Sequence, residues 1–331
     1  MATAYSKQVN TATANPTVNP PLRCIVVVGA GAVGSFFGAM LAQAGHRVTL
    51  IGRAAHVQAI GRDGLKLHRG GTVDTVRLTA TVDMRAVGEA DLVLLCVKST
   101  DTDAAAREMA PLLAPHVLVM SLQNGVENAA TIARHVRQTV IPAVVYLATS
   151  MPEPGVVCHF GRGDLVIGAL EGAGAPAGRP SLQEVAGLFE SAQVPVRIST
   201  DVIGELWRKL LVNCAYNAIS GLAQTPYGRM VELPEIRELQ QALVRELLAV
   251  AQADGQHLPL DEALAAVQRI AETMPQQLSS TAQDMARGKP SEIDHLNGFI
   301  ARRGAALGIK TPINQTLHAL VKLVEAVRPA P

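Results

Sequence analysis

Three polar side chains repeat every four residues in the stretch ELWRKLLVNCAYNAISGL, from Glu205 to Leu222: Lys209, Asn213 and Asn217. Leu, Lys, Arg and Ala supply helix propensity, and neither Gly nor Pro interrupts the stretch before Gly221, so it reads as one helix. At 3.6 residues per turn, positions i, i+4 and i+8 share a face. The other faces carry Leu206, Leu210, Leu211, Val212, Ala215, Ala218 and Ile219, which predicts a largely buried helix. An unpaired buried polar group costs roughly 1–3 kcal/mol, so one ammonium and two amides there need partners or a ligand. The competing reading is the wet side of a surface helix. Two Asn in mid-helix argue against it, because Asn is a poor helix former. One ammonium and two amides on a single buried face make this stretch a candidate functional site.

Such a helix needs a partner that carries the other reactant. Leu22 to Val28 is a continuous apolar run, the mark of a strand buried on both faces. It leads into Gly29, Ala30, Gly31, Ala32, Val33 and Gly34 and then a helical pattern to about Ala44. Gly29 permits a tight turn, Gly31 a close approach to a pyrophosphate, and Gly34 close packing of helix on strand. The free N–H groups at the helix start hold the phosphates. The strand before and helix after turn a weak glycine pattern into a dinucleotide site. The next strand, Arg47 to Ile51, ends at Gly52-Arg53, where an NAD site would carry a carboxylate for the ribose 2′-OH. The carboxylate is absent and Arg53 stands in its place, which predicts NADP(H); the alternative is a solvated loop arginine.

Further strands are expected over Asp91 to Val97, delivering Lys98, and over His116 to Met120, delivering Asn124. Ligands of open α/β sheets bind beyond the carboxyl ends of the strands, so both residues belong on the rim of the glycine turn. Leu65–Leu67 and Val73–Ala80 read as a hairpin around Gly70-Gly71. Strands are also expected at Thr139–Ala148, Val156–His159, Leu165–Ile167 and Val194–Ile198, with a helix over Ser181–Gln193 and a loop over Gly172–Pro180. After Thr200 everything reads as helix: Leu233–Asp254, Leu260–Met274, Gln276–Arg287, Ser291–Leu307 and Ile313–Val327. In that half Ser280 precedes Lys289-Pro290-Ser291-Glu292-Ile293-Asp294. Ser291 and Asp294 could form a capping box and Glu292 could sit at a helix's positive end.

The chain of 331 residues has room for two domains of about 150 each. The expectation is an α/β Rossmann-type N-terminal domain with a mostly parallel sheet, followed by an all-α C-terminal domain. Residues 1–21 are expected to be a disordered leader, 22–199 the NADP-binding domain and 200–331 the helical substrate and catalytic domain. A net charge of +1 with no basic stripe argues against nucleic acid as a partner. No apolar run approaches the roughly 18 residues of a membrane span, and the N-terminus lacks an apolar signal core. The scattered Cys24, Cys96, Cys158 and Cys214 suit free thiols in the cytoplasm, and no His/Cys spacing suits a metal.

From Cys24 to Pro312 the chain resembles the ketopantoate reductase (2-dehydropantoate 2-reductase) family. The resemblance runs through GAGAVG, CVKS, QNGVEN, ELWRKLLVNCAYN, SSTAQDMARGKPSEIDHLNG and GIKTPIN. It implies NADPH-dependent reduction of 2-dehydropantoate to pantoate, a step of pantothenate biosynthesis, in a cleft between a sheet domain and a helical domain. By position, Lys209 resembles the family's general acid, and Asn213, Asn217 and Ser280 its substrate contacts. Asn124 resembles an asparagine that touches both cofactor and substrate. Lys98 and Glu292 resemble cofactor-side partners, and Arg53 with Gly29 to Gly34 the NADP grip. Tyr227 and Gln277 stand where the family pattern has Asn near the substrate's tail, so the 2-oxo acid stays open. Two other readings remain: a paralogous reductase or dehydrogenase of another 2-oxo or 2-hydroxy acid, and a non-catalytic NADP-binding sensor. A homodimer is compatible with any of them.

Overall fold

The computed structural model describes residues 23–170 and 181–327. The leader and the Gly172–Pro180 loop lie outside the described residues. The apolar run folds as β1 (Cys24–Val28), and the glycine turn feeds α1 (Ala32–Gln43). Then follow β2 (Arg47–Ile51), α2 (Ala54–Asp63), β3 (Leu65–Arg69), β4 (Thr72–Val76) and β5 (Thr79–Thr81). The chain continues through β6 (Leu92–Leu95), α3 (Thr102–Met109), β7 (Leu118–Ser121), α4 (Asn128–Ala133), β8 (Thr139–Glu153) and β9 (Val156–Ile167). It closes this half with α5 (Leu182–Ser191) and β10 (Val196–Ile198).

Among the described residues these strands make one ten-stranded sheet in the order β4-β3-β9-β8-β7-β6-β1-β2-β5, with β10 on β9. Seven strand pairs are parallel, and only β3–β4 and β8–β9 are antiparallel. Ile25 and Val27 of β1 pack into one apolar layer with Phe37, Leu50 and Leu94. Val26 and Val28 pack into the opposite layer with Ile51, Val93 and Leu95. Burial on both faces explains why β1 reads as an unbroken apolar run.

The sequence reading differs from the structure at several places. Val73–Ala80 is not one strand: β4 pairs with β3, whereas β5 pairs with β2 at the opposite edge of the sheet. Val156–His159 and Leu165–Ile167 belong to a single strand, β9, whose bulges hide the alternation.

The rest is helical: α6 (Val202–Ala223), α7 (Tyr227–Met230), α8 (Pro234–Ala253), α9 (Leu260–Thr273), α10 (Ser280–Ala286), α11 (Asn297–Ala306) and α12 (Pro312–Val327). Helix α6 starts where Asp201 accepts the Gly204 N–H at 2.9 Å, and it ends at Gln224 in the left-handed region. Its apolar faces join Leu243, Leu247, Val250, Phe299 and Val321 in a core of their own. The helix expected over Gln276–Arg287 begins later, at Ser280, because Ser279 accepts the Ala282 N–H and so caps it. The helix expected from Ser291 begins at Asn297, since Leu296 has φ −112 and ψ −106. No capping box forms there. Ser291 instead donates its hydroxyl to Glu325, and Asp294 takes His318 and Lys322.

The chain order runs outward from β1 to β2 and β5, then returns to β6, β7 and β8 on the other side. The reversal falls between β1 and β6, the place where such sheets open a crevice. Gly29 sits in it with φ +113, and a Cβ there would lie 2.7 Å from the Cys96 carbonyl carbon. Gly29→Val therefore carries both backbone strain and overlap. At roughly 1–3 kcal/mol of strain alone, and about 2–4 °C per kcal/mol, its Tm should fall by about 2–12 °C in a circular-dichroism melt. A wild-type Tm would refute this account of the turn.

Candidate active site

Lys209, on the α6 face turned to β8, donates from Nζ to Asn124 Oδ1 at 2.9 Å and to the Val145 carbonyl at 2.5 Å. An ammonium has three N–H donors, so one is left for a ligand. Asn124 follows β7 on the rim that carries the glycine turn. Its Nδ2 donates to Glu292 Oε2 at 3.2 Å, and the Ser99 backbone N–H donates to Glu292 Oε1 at 2.8 Å. Lys209, Asn124, Glu292 and Ser99 thus form one chain of hydrogen bonds across the two halves. Glu292 stands at the N-cap position of a short 3-10 turn, Ile293–His295, but its side chain makes no capping hydrogen bond there; the carboxylate is held between the ends of β6 and β7.

Burial pushes the Lys209 ammonium down from its ordinary value to about 8, the Glu292 carboxylate opposes that drop, and the Arg162 guanidinium adds to it. Arg162 is a residue that sequence reasoning missed. It lies on β9 with φ +53, its guanidinium 4.1 Å from the Tyr146 ring centre and paired with Asp164 at 2.7 Å. The signal was Gly161-Arg162-Gly163, where glycines of φ +147 and +146 flank the arginine.

A buried polar network beneath Asn124 was also not visible in the sequence. Ser99 Oγ and Asn128 Nδ2 both donate to the Asn124 carbonyl, at 2.8 and 2.5 Å. Thr102 Oγ1 donates to Asn128 Oδ1 at 2.8 Å, and Gln123 Nε2 donates to Thr102 Oγ1 at 2.7 Å. These side chains come from the segments after β6 and after β7, which the parallel pairing of those two strands sets side by side.

One turn along α6, the half-buried Asn213 amide makes no hydrogen bond to a described residue. A turn further, the buried Asn217 Nδ2 lies 3.5 Å from the Ser280 hydroxyl. Gly221 allows that approach: a Cβ there would meet Met285 Sδ and Thr281 Cγ2 of α10 at 2.8 Å. The α6 stripe therefore runs from a proton donor to neutral hydrogen-bonding groups, with α10 closing its far end. Tyr227 lies beside the segment leading into Ser280, its N–H on the Gln277 carbonyl at 3.0 Å and its ring 4.6 Å from that of Tyr216.

The remaining predicted residues lie on the sheet rim. Gly31 caps α1 with no side chain on the helix end, and a Cβ built on it meets nothing within 4 Å. Open space above bare N–H groups fits a pyrophosphate. Arg53 is exposed at the start of α2. Lys98 is not free: its Nζ donates to Asp284 Oδ2 at 2.8 Å and to the Pro290 carbonyl at 2.5 Å, both on the helical half. Among the described residues no cluster of His, Cys, Asp and Glu could hold a metal, and no helix is long and apolar enough to cross a membrane.

Two family models match the chain: ketopantoate reductase PanE/ApbA over residues 25–172, and ketopantoate reductase PanE/ApbA C terminal over residues 201–325. The 2-dehydropantoate 2-reductase of Halobacterium salinarum is 33% identical over 304 residues, covering 91% of this chain and 98% of its own. A PanE/ApbA family ketopantoate reductase from Ralstonia eutropha superposes with a TM-score of 0.85 at 52% identity, covering 92% of this chain and 98% of that one. D-mandelate dehydrogenase, in a ternary structure with NADH and anilino(oxo)acetate, superposes with a TM-score of 0.86 at 25% identity, covering 92% and 98%.

The balance on Lys209 is testable without any turnover. Glu292→Gln removes the group that holds the ammonium up, so the Lys209 pKa should fall below about 8. A titration followed by the NMR signal of the Lys209 Nζ would read it. A pKa unchanged or raised in Glu292→Gln would break the link between the two.

Proposed function

The chain belongs to the ketopantoate reductase family, and from that premise we propose that it reduces 2-dehydropantoate to pantoate with NADPH, Lys209 serving as proton donor. The observation that carries the reading is the Lys209 ammonium: two of its donors are fixed by Asn124 and Val145, and burial brings it to about 8. A general acid works best when its pKa lies near the working pH. The nicotinamide, when bound, supplies the hydride. The residues around it do the rest. The bare N–H groups of α1 would hold the pyrophosphate, and Arg53 at the end of β2 would meet a 2′-phosphate.

As charge gathers on the substrate's carbonyl oxygen, the third Lys209 N–H points a proton at it. Asn213 and Asn217, with Ser280, offer neutral donors and acceptors to the carboxylate and hydroxyl of the substrate. The rigid helix sets their distance from the proton donor. A sensor without turnover has no use for a tuned ammonium at this place, so the enzyme reading is preferred.

A second reading has its own support. Tyr227 stands beside the segment leading to Ser280, its ring tilted at 53° against the buried Tyr216, and would offer an apolar surface to a substrate with a less polar tail. D-mandelate dehydrogenase shares the fold. Initial rates with 2-dehydropantoate, 2-oxoisovalerate and phenylglyoxylate separate the two readings; a clear preference for phenylglyoxylate would replace the first by the second.

Protonated Lys209 is the active form for reduction. The rate should be flat below about 8 and fall roughly tenfold per pH unit above it, whereas oxidation of the alcohol should rise through the same point. Lys209→Ala should lose at least about 100-fold in kcat/KM and still bind NADPH. A fully active Lys209→Ala enzyme would remove the residue from this role.

A further inference from the structure

The glycine turn is wedged between two strand ends. After β2, a Cβ on Gly52 would fall 2.5 Å from the Ala30 Cβ; after β6, Cys96 and Val97 press on Gly29. The next residue on each side is basic, Arg53 and Lys98. Two further groups join them. His56 lies one turn into α2, its N–H on the Arg53 carbonyl at 3.0 Å. Lys289 comes from the helical half and precedes Pro290, whose carbonyl accepts from Lys98. Burial, helped by the charges of Arg53 and Lys289, holds the His56 imidazole below its usual range.

One carboxylate reaches this cluster, Asp284, which bears on both Lys98 and Lys289. Asp284 is taken by Lys98 at 2.8 Å. Arg53 and Lys289 are exposed, and neither has a carboxylate within ion-pair distance among the described residues. His56 Nδ1 is shut off from solvent with no hydrogen-bond partner. Two exposed cations, beside an imidazole whose charged form burial and both cations disfavour, placed where β2 ends, make a site for a dianion.

We propose that His56 and Lys289 complete, with Arg53, a clamp that spans the two halves of the protein and grips the 2′-phosphate of NADP(H). The inference rests on the NADP(H) reading and extends it to two residues. It gives the helical half a direct hold on the adenosine end of the cofactor, some distance from the reacting carbon. Dinucleotides lacking that phosphate would leave Lys289 with nothing to hold.

Isothermal titration with adenosine 2′,5′-bisphosphate and with 5′-AMP tests it on the intact protein, without turnover. The wild type should prefer the bisphosphate by about 100-fold or more, since a phosphate meeting several charge-assisted bonds gains about tenfold from each. Lys289→Gln and His56→Gln should each weaken the bisphosphate about 10-fold and leave 5′-AMP unchanged, and Lys289→Arg should restore binding. Unchanged 5′-AMP binding also shows that the variants fold. If both variants keep the wild-type preference, or weaken both probes equally, while Arg53→Gln still abolishes the preference, the clamp is wrong and the NADP(H) reading stands. If the wild type shows no preference and Arg53→Gln changes nothing, the NADP(H) reading falls and takes the clamp with it.

Discussion

A lysine ammonium partly withdrawn from water is the constraint around which this molecule is arranged. Burial alone would drive Lys209 toward the neutral amine, and an adjacent carboxylate alone would keep it charged to high pH. Here the two oppose each other through Asn124, whose side-chain Oδ1 accepts from the ammonium and whose Nδ2 donates to Glu292. The result is an acid at about 8, with Arg162 pulling the same way as burial. The four groups come from α6, the end of β7, the segment after α10, and β9. The chemistry of one side chain therefore depends on the register of the whole sheet against the helices.

That dependence explains the polar residues beneath the site. Thr102, Gln123, Asn128 and Ser99 are buried, and each engages a partner in one network ending on the Asn124 carbonyl. A fully satisfied network rigidifies, whereas a half-satisfied one costs more than an apolar core. Asn124 is thus fixed from below before anything binds above it. The Asn-Gly pair that could be ordinary turn chemistry in the sequence is a mount for a hydrogen-bonding amide.

What was legible in the sequence had short-range causes. The β1 run, the glycine turn and the α6 stripe each state their geometry within 20 residues, through period and turn chemistry. The mostly parallel sheet and the helical second half followed from them. What was not legible depends on contacts across the chain. Val73–Ala80 looks continuous, but its halves serve opposite sheet edges, and nothing local marks the break. Ser291 has the composition of a helix cap, yet Glu325, 34 residues on, takes its hydroxyl. Arg162 hides between two glycines, because only the bulged hairpin of β8 and β9 turns it over Tyr146.

Two of the ties between the halves differ in kind. Glu292 accepts from Ser99 and Asn124, so its charge is spent on N–H groups of the sheet rim. Lys98 gives two of its three donors to Asp284 and Pro290, so it is first of all a strut from sheet to helix and has one N–H to spare. Burial raises the Asp284 carboxyl against the pull of Lys98. On the proposed reading, a cofactor phosphate arriving beside Lys98 would compete with Asp284 for the same ammonium. Filling the cofactor crevice therefore bears on how firmly α10 is held, and α10 carries Ser280 at the far end of the stripe that begins with Lys209. On the proposed reading, the grip on the cofactor and the placing of the substrate are one mechanical problem, solved by a single short segment between α10 and α11.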